Sequence, residues 1–123
     1  MTSKQELTVL ITPVGAEVQQ ESTALAGDGR DAKAMSRLRK ASGLGLADAR
    51  VALEFLTSGR RLPVDCAQAL ANLRSMDPEL FTELSSLLVR DDTTAAIKLL
   101  RERTDVDLAG GYHLIQEMAR QRG

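Results

Sequence analysis

The chain has 123 residues, 43% of them apolar, a net charge of −1, and only three aromatic side chains, Phe55, Phe81 and Tyr112. That length holds one domain or two small units sharing a core, and so aromatic-poor a core must be built from Leu, Ile, Val, Ala and Met, the composition of closely packed helices. A lone cysteine, Cys66, excludes an internal disulfide, and no apolar run approaches the ~20 residues of a membrane span.

In chain order, Leu7, Val9 and Ile11 alternate with Thr8 and Thr12, which predicts a strand near Leu7–Pro13. The run is too short and too broken by Thr and Pro for a signal peptide, so the expected location is cytoplasmic. Residues 16–30 are polar and read as a weak helix followed by a loop. Asp31 is a candidate N-cap for a helix to about Ser42, with Met35 and Leu38 facing inward and Gly43 ending it. Leu46, Ala49, Leu53 and Leu56 recur at helical spacing in the next helix, closed by Thr57-Ser58-Gly59. The stretch Arg61–Val64 predicts a short edge strand, where Pro63 is tolerated. Asp65 caps a third helix. Asp77 followed by Pro78 starts a fourth, which runs to about Val89. Further helices are predicted over 94–103 and, capped by Asp107, to about Arg120.

A shift of 62 residues lays the chain on itself. Ala34 falls on Ala96, Met35 on Ile97, Leu38 on Leu100, Arg39 on Arg101, Leu44 on Val106, Leu46 on Leu108, Leu53 on Ile115 and Leu56 on Met118. Most of these are expected inward positions, so the pattern describes two helical hairpins that bury their apolar faces together. The turns differ: Gly43-Leu44-Gly45 in the first, Asp105-Val106-Asp107 in the second. The expected organisation is a unit over 1–76 and a second hairpin unit over 77–123. The fold class is mainly α, of the α+β kind, with a sheet of one to three strands near the N-terminus.

Charge is unevenly spread. Between Arg30 and Arg61 eight basic residues face three acidic ones, while the segments on either side are net negative. Helical spacing puts Lys33, Arg37 and Lys40 on the outer side of the first hairpin, with Arg50 close to its turn. Such a segment marks a partner surface or a solvated face. The chemistry of catalysis has few candidates. Cys66 lies far in sequence from the single histidine, His113, and reads as an inert, partly buried thiol. The scattered acids, one His and one Cys give no metal-ligand spacing, and Gly43-Leu44-Gly45 lacks the strand, the longer glycine arc and the Lys-Ser/Thr of a phosphate loop. No enzyme activity, cofactor or metal is therefore expected. A DNA-reading helix-turn-helix is the rival use of the same hairpin, but of its second helix only Arg50 suits bases or phosphates.

The stretch LRKASGLGLADARVALE, residues 38–54, resembles the helical hairpin of the C-terminal domain of the bacterial ribosomal stalk protein. Arg39 matches that family's Arg and Ser42 its Thr, and Gly43-Leu44-Gly45-Leu46 are identical. Asp48 stands for Glu, Ala49 is identical, Arg50 stands for Lys and Leu53-Glu54 for Val-Glu. Ile97, Lys98, Leu100, Arg101 and Thr104 repeat the start of the motif more weakly. The resemblance implies a small α/β module whose hairpin recruits translational GTPases through basic residues and the turn. The expected function is thus a non-enzymatic protein-binding module. Its partner would be a protein with an acidic surface, such as a translational GTPase or ribosome component, met through Lys33, Arg37, Arg39, Lys40, Gly43, Leu44 and Arg50. A small adaptor, a regulator or an immunity-type inhibitor would fit the same surface.

Overall fold

A computed structural model describes residues 3–122, and among them eight α-helices and no strand are formed. They are α1 (Lys4–Leu10), α2 (Ala16–Gly27), α3 (Asp31–Ser42), α4 (Leu46–Thr57), α5 (Cys66–Met76), α6 (Pro78–Val89), α7 (Thr93–Arg103) and α8 (Leu108–Arg122). The four helix starts at 4, 16, 31 and 46 recur at 66, 78, 93 and 108. The 62-residue spacing therefore runs through all eight helices and not only through the two hairpins.

The local chemistry accounts for most boundaries. Asp65, Asp77 and Asp92 each accept a hydrogen bond from the backbone N–H three residues on, worth about 1 kcal/mol per cap. Asp31 is not a cap; it is the first residue of α3, and Arg30 precedes it. After α2 the chain turns through Gly29 at φ 77°, and at the matching place after α6 Asp91 takes φ 58°. The two hairpin turns share a hydroxyl device despite their different sequences. Ser42 Oγ donates to the Leu38 carbonyl and accepts from Leu44 N–H; Thr104 Oγ1 donates to the Leu100 carbonyl and accepts from Val106 N–H.

The small N-terminal sheet expected from the sequence is not formed. Leu7–Leu10 lie in α1, capped by Ser3, whose Oγ accepts from Glu6 N–H. The alternation misled because Thr8 is as buried as its apolar neighbours. Its hydroxyl donates to the Lys4 carbonyl and accepts from Asp105 N–H. A helix buried on all sides has no polar stripe to reveal its period. The edge strand expected at Arg61–Val64 is an irregular connection with one backbone bond, Val14 N–H to the Pro63 carbonyl at 2.8 Å. Side chains supply the rest: Gln19 Nε2 donates to the carbonyls of Val14 and Leu62, Gln19 Oε1 accepts from Leu62 N–H, and Gln68 Oε1 accepts from Val64 N–H.

The packing explains why the C-terminal half of α1, Leu7–Leu10, is buried. In the first half α2, α3 and α4 pack on one another and α1 packs on α4; in the second half α5 packs on α6 and α8, and α7 on α6 and α8. α1 also packs on α5. Val9 and Leu10 enter the first core with Leu38, Ala49, Leu53 and Leu56, whereas Leu7 and Ile11 enter the second with Leu73, Leu84, Leu100 and Ile115. Polar contacts reinforce the seam. Asn72 Nδ2 donates to the Leu10 carbonyl at 2.7 Å, and Lys4 Nζ lies 3.2 Å from Asp105 Oδ1.

Candidate functional site

The first hairpin leaves a surface groove of about 640 Å³ beside its turn. Met35 and Arg39 are four residues apart on α3, as are Ser36 and Lys40, so both pairs lie along one side of that helix. Leu46 and Arg50 have the same spacing on α4 and form the facing wall. Gly43 and Leu44 close the end where the chain turns. The groove thus has an apolar floor of half-buried Met35 and buried Leu44, an exposed leucine, and three exposed cations: Arg39, Lys40 and Arg50. None of the three makes an ion pair among the described residues, and Arg39 Nε donates only weakly to the Leu44 carbonyl, at 3.4 Å.

Of the seven residues the sequence singled out, five line this groove: Arg39, Lys40, Gly43, Leu44 and Arg50. Lys33 and Arg37 lie outside it. Arg37 is engaged elsewhere, its Nε 2.8 Å from Glu21 Oε2 on α2. The self-contained Arg50–Glu54 pair that helical spacing allows is not among the salt bridges.

Sequence reasoning missed Leu46. Its spacing from Ala49 and Leu53 placed it inward, yet it is 56% exposed. It is the first residue of α4. Leu108, its partner in the repeat and the first residue of α8, is likewise 60% exposed. Asp48, in the first turn of α4, is buried, and its Oδ1 has no hydrogen-bond partner among the described residues. Burial pushes its pKa up, the Asp105 carboxylate adds to the rise, and the Lys4 ammonium opposes it.

A second cavity, about 350 Å³, lies in the seam where the two hairpin turns meet. Ile11, Pro13, Leu44 and Val106 make it largely apolar, and Cys66 and His113 both reach it although they are distant in sequence. Burial, then the carboxylates of Glu117 and Asp65, push the Cys66 thiol up. The thiol is therefore protonated at neutral pH, and a protonated thiol is a poor nucleophile. Among the described residues no cluster of three or more His, Cys, Asp or Glu is placed to hold a metal ion, and no helix is long and apolar enough to cross a membrane. Comparison with protein-family models, with curated proteins and with solved structures finds no match to this chain.

Proposed function

We infer that the chain is a non-enzymatic protein-binding module whose groove between α3 and α4 docks an acidic segment of another protein. The observation that carries this reading is the combination of three unpaired cations with an exposed leucine around one apolar floor. Cations on a rim steer an acidic partner and set its register, while the desolvated apolar centre supplies most of the affinity. The stalk-like sequence of the hairpin makes translational GTPases and ribosome components the first natural partners to test; an adaptor, a regulator or an immunity-type inhibitor would use the groove in the same way.

The test uses a labelled amphipathic peptide, acidic on one face and leucine-rich on the other, followed by fluorescence anisotropy. Saturable binding should weaken by about tenfold or more in the Lys40→Glu, Arg50→Glu double variant, a loss of roughly 1.4 kcal/mol, with the thermal melt unchanged. Binding equal to wild type in that variant would remove the groove from consideration.

A further inference from the structure

The second half of the chain carries, on α7 and α8, unlike counterparts of the residues that line the first groove. Under the 62-residue shift Met35 becomes Ile97, Ser36 becomes Lys98, Arg39 stays arginine as Arg101, Leu46 stays leucine as Leu108, and Arg50 becomes Tyr112. Ile97 is half-buried; Lys98, Arg101, Leu108 and Tyr112 are exposed, with Leu108 at 60% and Tyr112 at 48%. α7 packs on α8 as α3 packs on α4. A single exposed leucine needs no explanation. Two at matching positions, each with an arginine outside any ion pair on the facing helix, form a pattern that the cores of the two units do not require. At Gly111, where the first unit has Ala49, a Cβ would lie 3.4 Å from Arg101 Cγ, so the arginine stem lies close against α8.

We propose that the chain is bivalent, with a second docking site formed by Ile97, Lys98, Arg101, Leu108 and Tyr112 that takes the same kind of segment, a carboxylate beside a large apolar side chain. This rests on the reading of the first groove given above. The two sites differ in character. Lys40 is replaced by Glu102 and Arg50 by Tyr112, so the second site keeps a smaller positive excess and gains an aromatic surface. The first site should depend strongly on salt and the second weakly, because screening acts on the charged term and leaves apolar burial in place.

Tyr112 is the only tyrosine and the chain has no tryptophan, so intrinsic emission reports the second site alone. The probe is the acidic, leucine-rich peptide made without Tyr or Trp. Calorimetry on the full chain should give two peptides per protein. Lys40→Glu with Arg50→Glu should leave one, still accompanied by a change in Tyr112 emission and little affected by salt. Arg101→Glu with Leu108→Ser should leave the other, salt-sensitive and silent in tyrosine emission. These substitutions fall on exposed side chains, and an unchanged circular dichroism melt checks that both variants are folded. One peptide per protein, abolished by Lys40→Glu with Arg50→Glu and indifferent to Arg101→Glu with Leu108→Ser, overturns bivalency and leaves the first groove standing. Absence of peptide binding at both places overturns the reading of the first groove, and bivalency with it.

Discussion

Gly43 faces Asp107 across the seam between the two halves, so closely that a Cβ on Gly43 would lie 2.7 Å from Asp107 Oδ2. Both belong to hairpin turns, and the turns occupy matching places in the repeat. Gly43 also ends α3 in the left-handed region, at φ 77°. Asp107 is held in turn, because its Oδ1 accepts from Gly110 N–H at the start of α8. One turn is therefore glycine and the other aspartate for a shared reason: each makes room for, or fills, the space beside the other.

Gly43→Ala should therefore destabilise the protein by about 1–2 kcal/mol from the left-handed backbone alone, with displacement of the Asp107 cap added. Gly45, two residues on, is extended at φ −70° and ψ 171°, and a Cβ there meets open space. It is the N-cap of α4 and offers no side-chain acceptor. Gly45→Asn should leave stability unchanged or raise it by a few tenths of a kcal/mol. Urea denaturation of the two variants reads both signs; equal losses would show that the seam is not sensitive to its turns.

Asp48 should make stability depend on pH. Its folded pKa lies above the ordinary value of 3.8, chiefly through burial and then through the Asp105 carboxylate. A raised carboxyl contributes stability that is fully present below the unfolded pKa and is lost as pH rises through the folded one. As pH rises through the raised folded pKa the ionised Asp48 becomes a cost, and Asp48→Asn should gain on wild type over that rise. Below about pH 3.8 both states of the wild type are protonated at this position, so the advantage should shrink toward zero. Denaturation midpoints of the two proteins should converge as pH falls, and a constant difference across pH would contradict burial as the cause.

Gln19 offers a sharper stability test. Its amide satisfies three buried backbone groups, the Val14 and Leu62 carbonyls and Leu62 N–H, at 2.7, 2.9 and 3.0 Å. Gln19→Leu keeps the volume and orphans all three, at roughly 1–3 kcal/mol for each unsatisfied group. A loss of at least about 2 kcal/mol is expected in chemical denaturation. Gln20→Leu on the exposed neighbouring position should stay within about 0.5 kcal/mol.

What the sequence revealed follows from which signals survive tertiary packing. Caps are local, so Asp65, Asp77 with Pro78, and Gly43 marked real boundaries. Hairpin periodicity is nearly local, so α3, α4, α7 and α8 were legible through Leu38, Leu53, Leu100 and Ile115. α1 was not, because a helix lodged between two cores shows apolar residues on every side and Thr8 hides among them. The connection at Arg61–Val64 resembles a strand in its residue types, but the partner that satisfies Leu62 is a side chain, Gln19, 43 residues away. Exposure at helix ends was the other blind spot: spacing alone placed Leu46 and Leu108 inward, whereas each opens its helix and is more than half exposed. The cationic groove was visible as a charge excess, though its true membership depended on which arginines find partners.

That membership gives the last test. The sequence groups Arg37 with Lys40, and the structure separates them. Arg37 is tied to Glu21 across α2 and α3, with both side chains more than two-fifths exposed; such a pair contributes little, between about 0 and 1 kcal/mol. Lys40 and Arg50 line the groove and have no ion pair among the described residues. Arg37→Ala should cost at most a small fraction of the stability and leave peptide binding at the first groove intact. Lys40→Ala with Arg50→Ala should leave the melt in place, slow association, and flatten the salt dependence of binding, because rim charges act mainly on encounter. Measured side by side in stopped-flow binding and thermal denaturation, the two variants separate a structural arginine from a recognition surface. Equal loss of binding in both would mean that the contact face follows the outer side of α3, as the spacing of Lys33, Arg37 and Lys40 suggests, and not the groove.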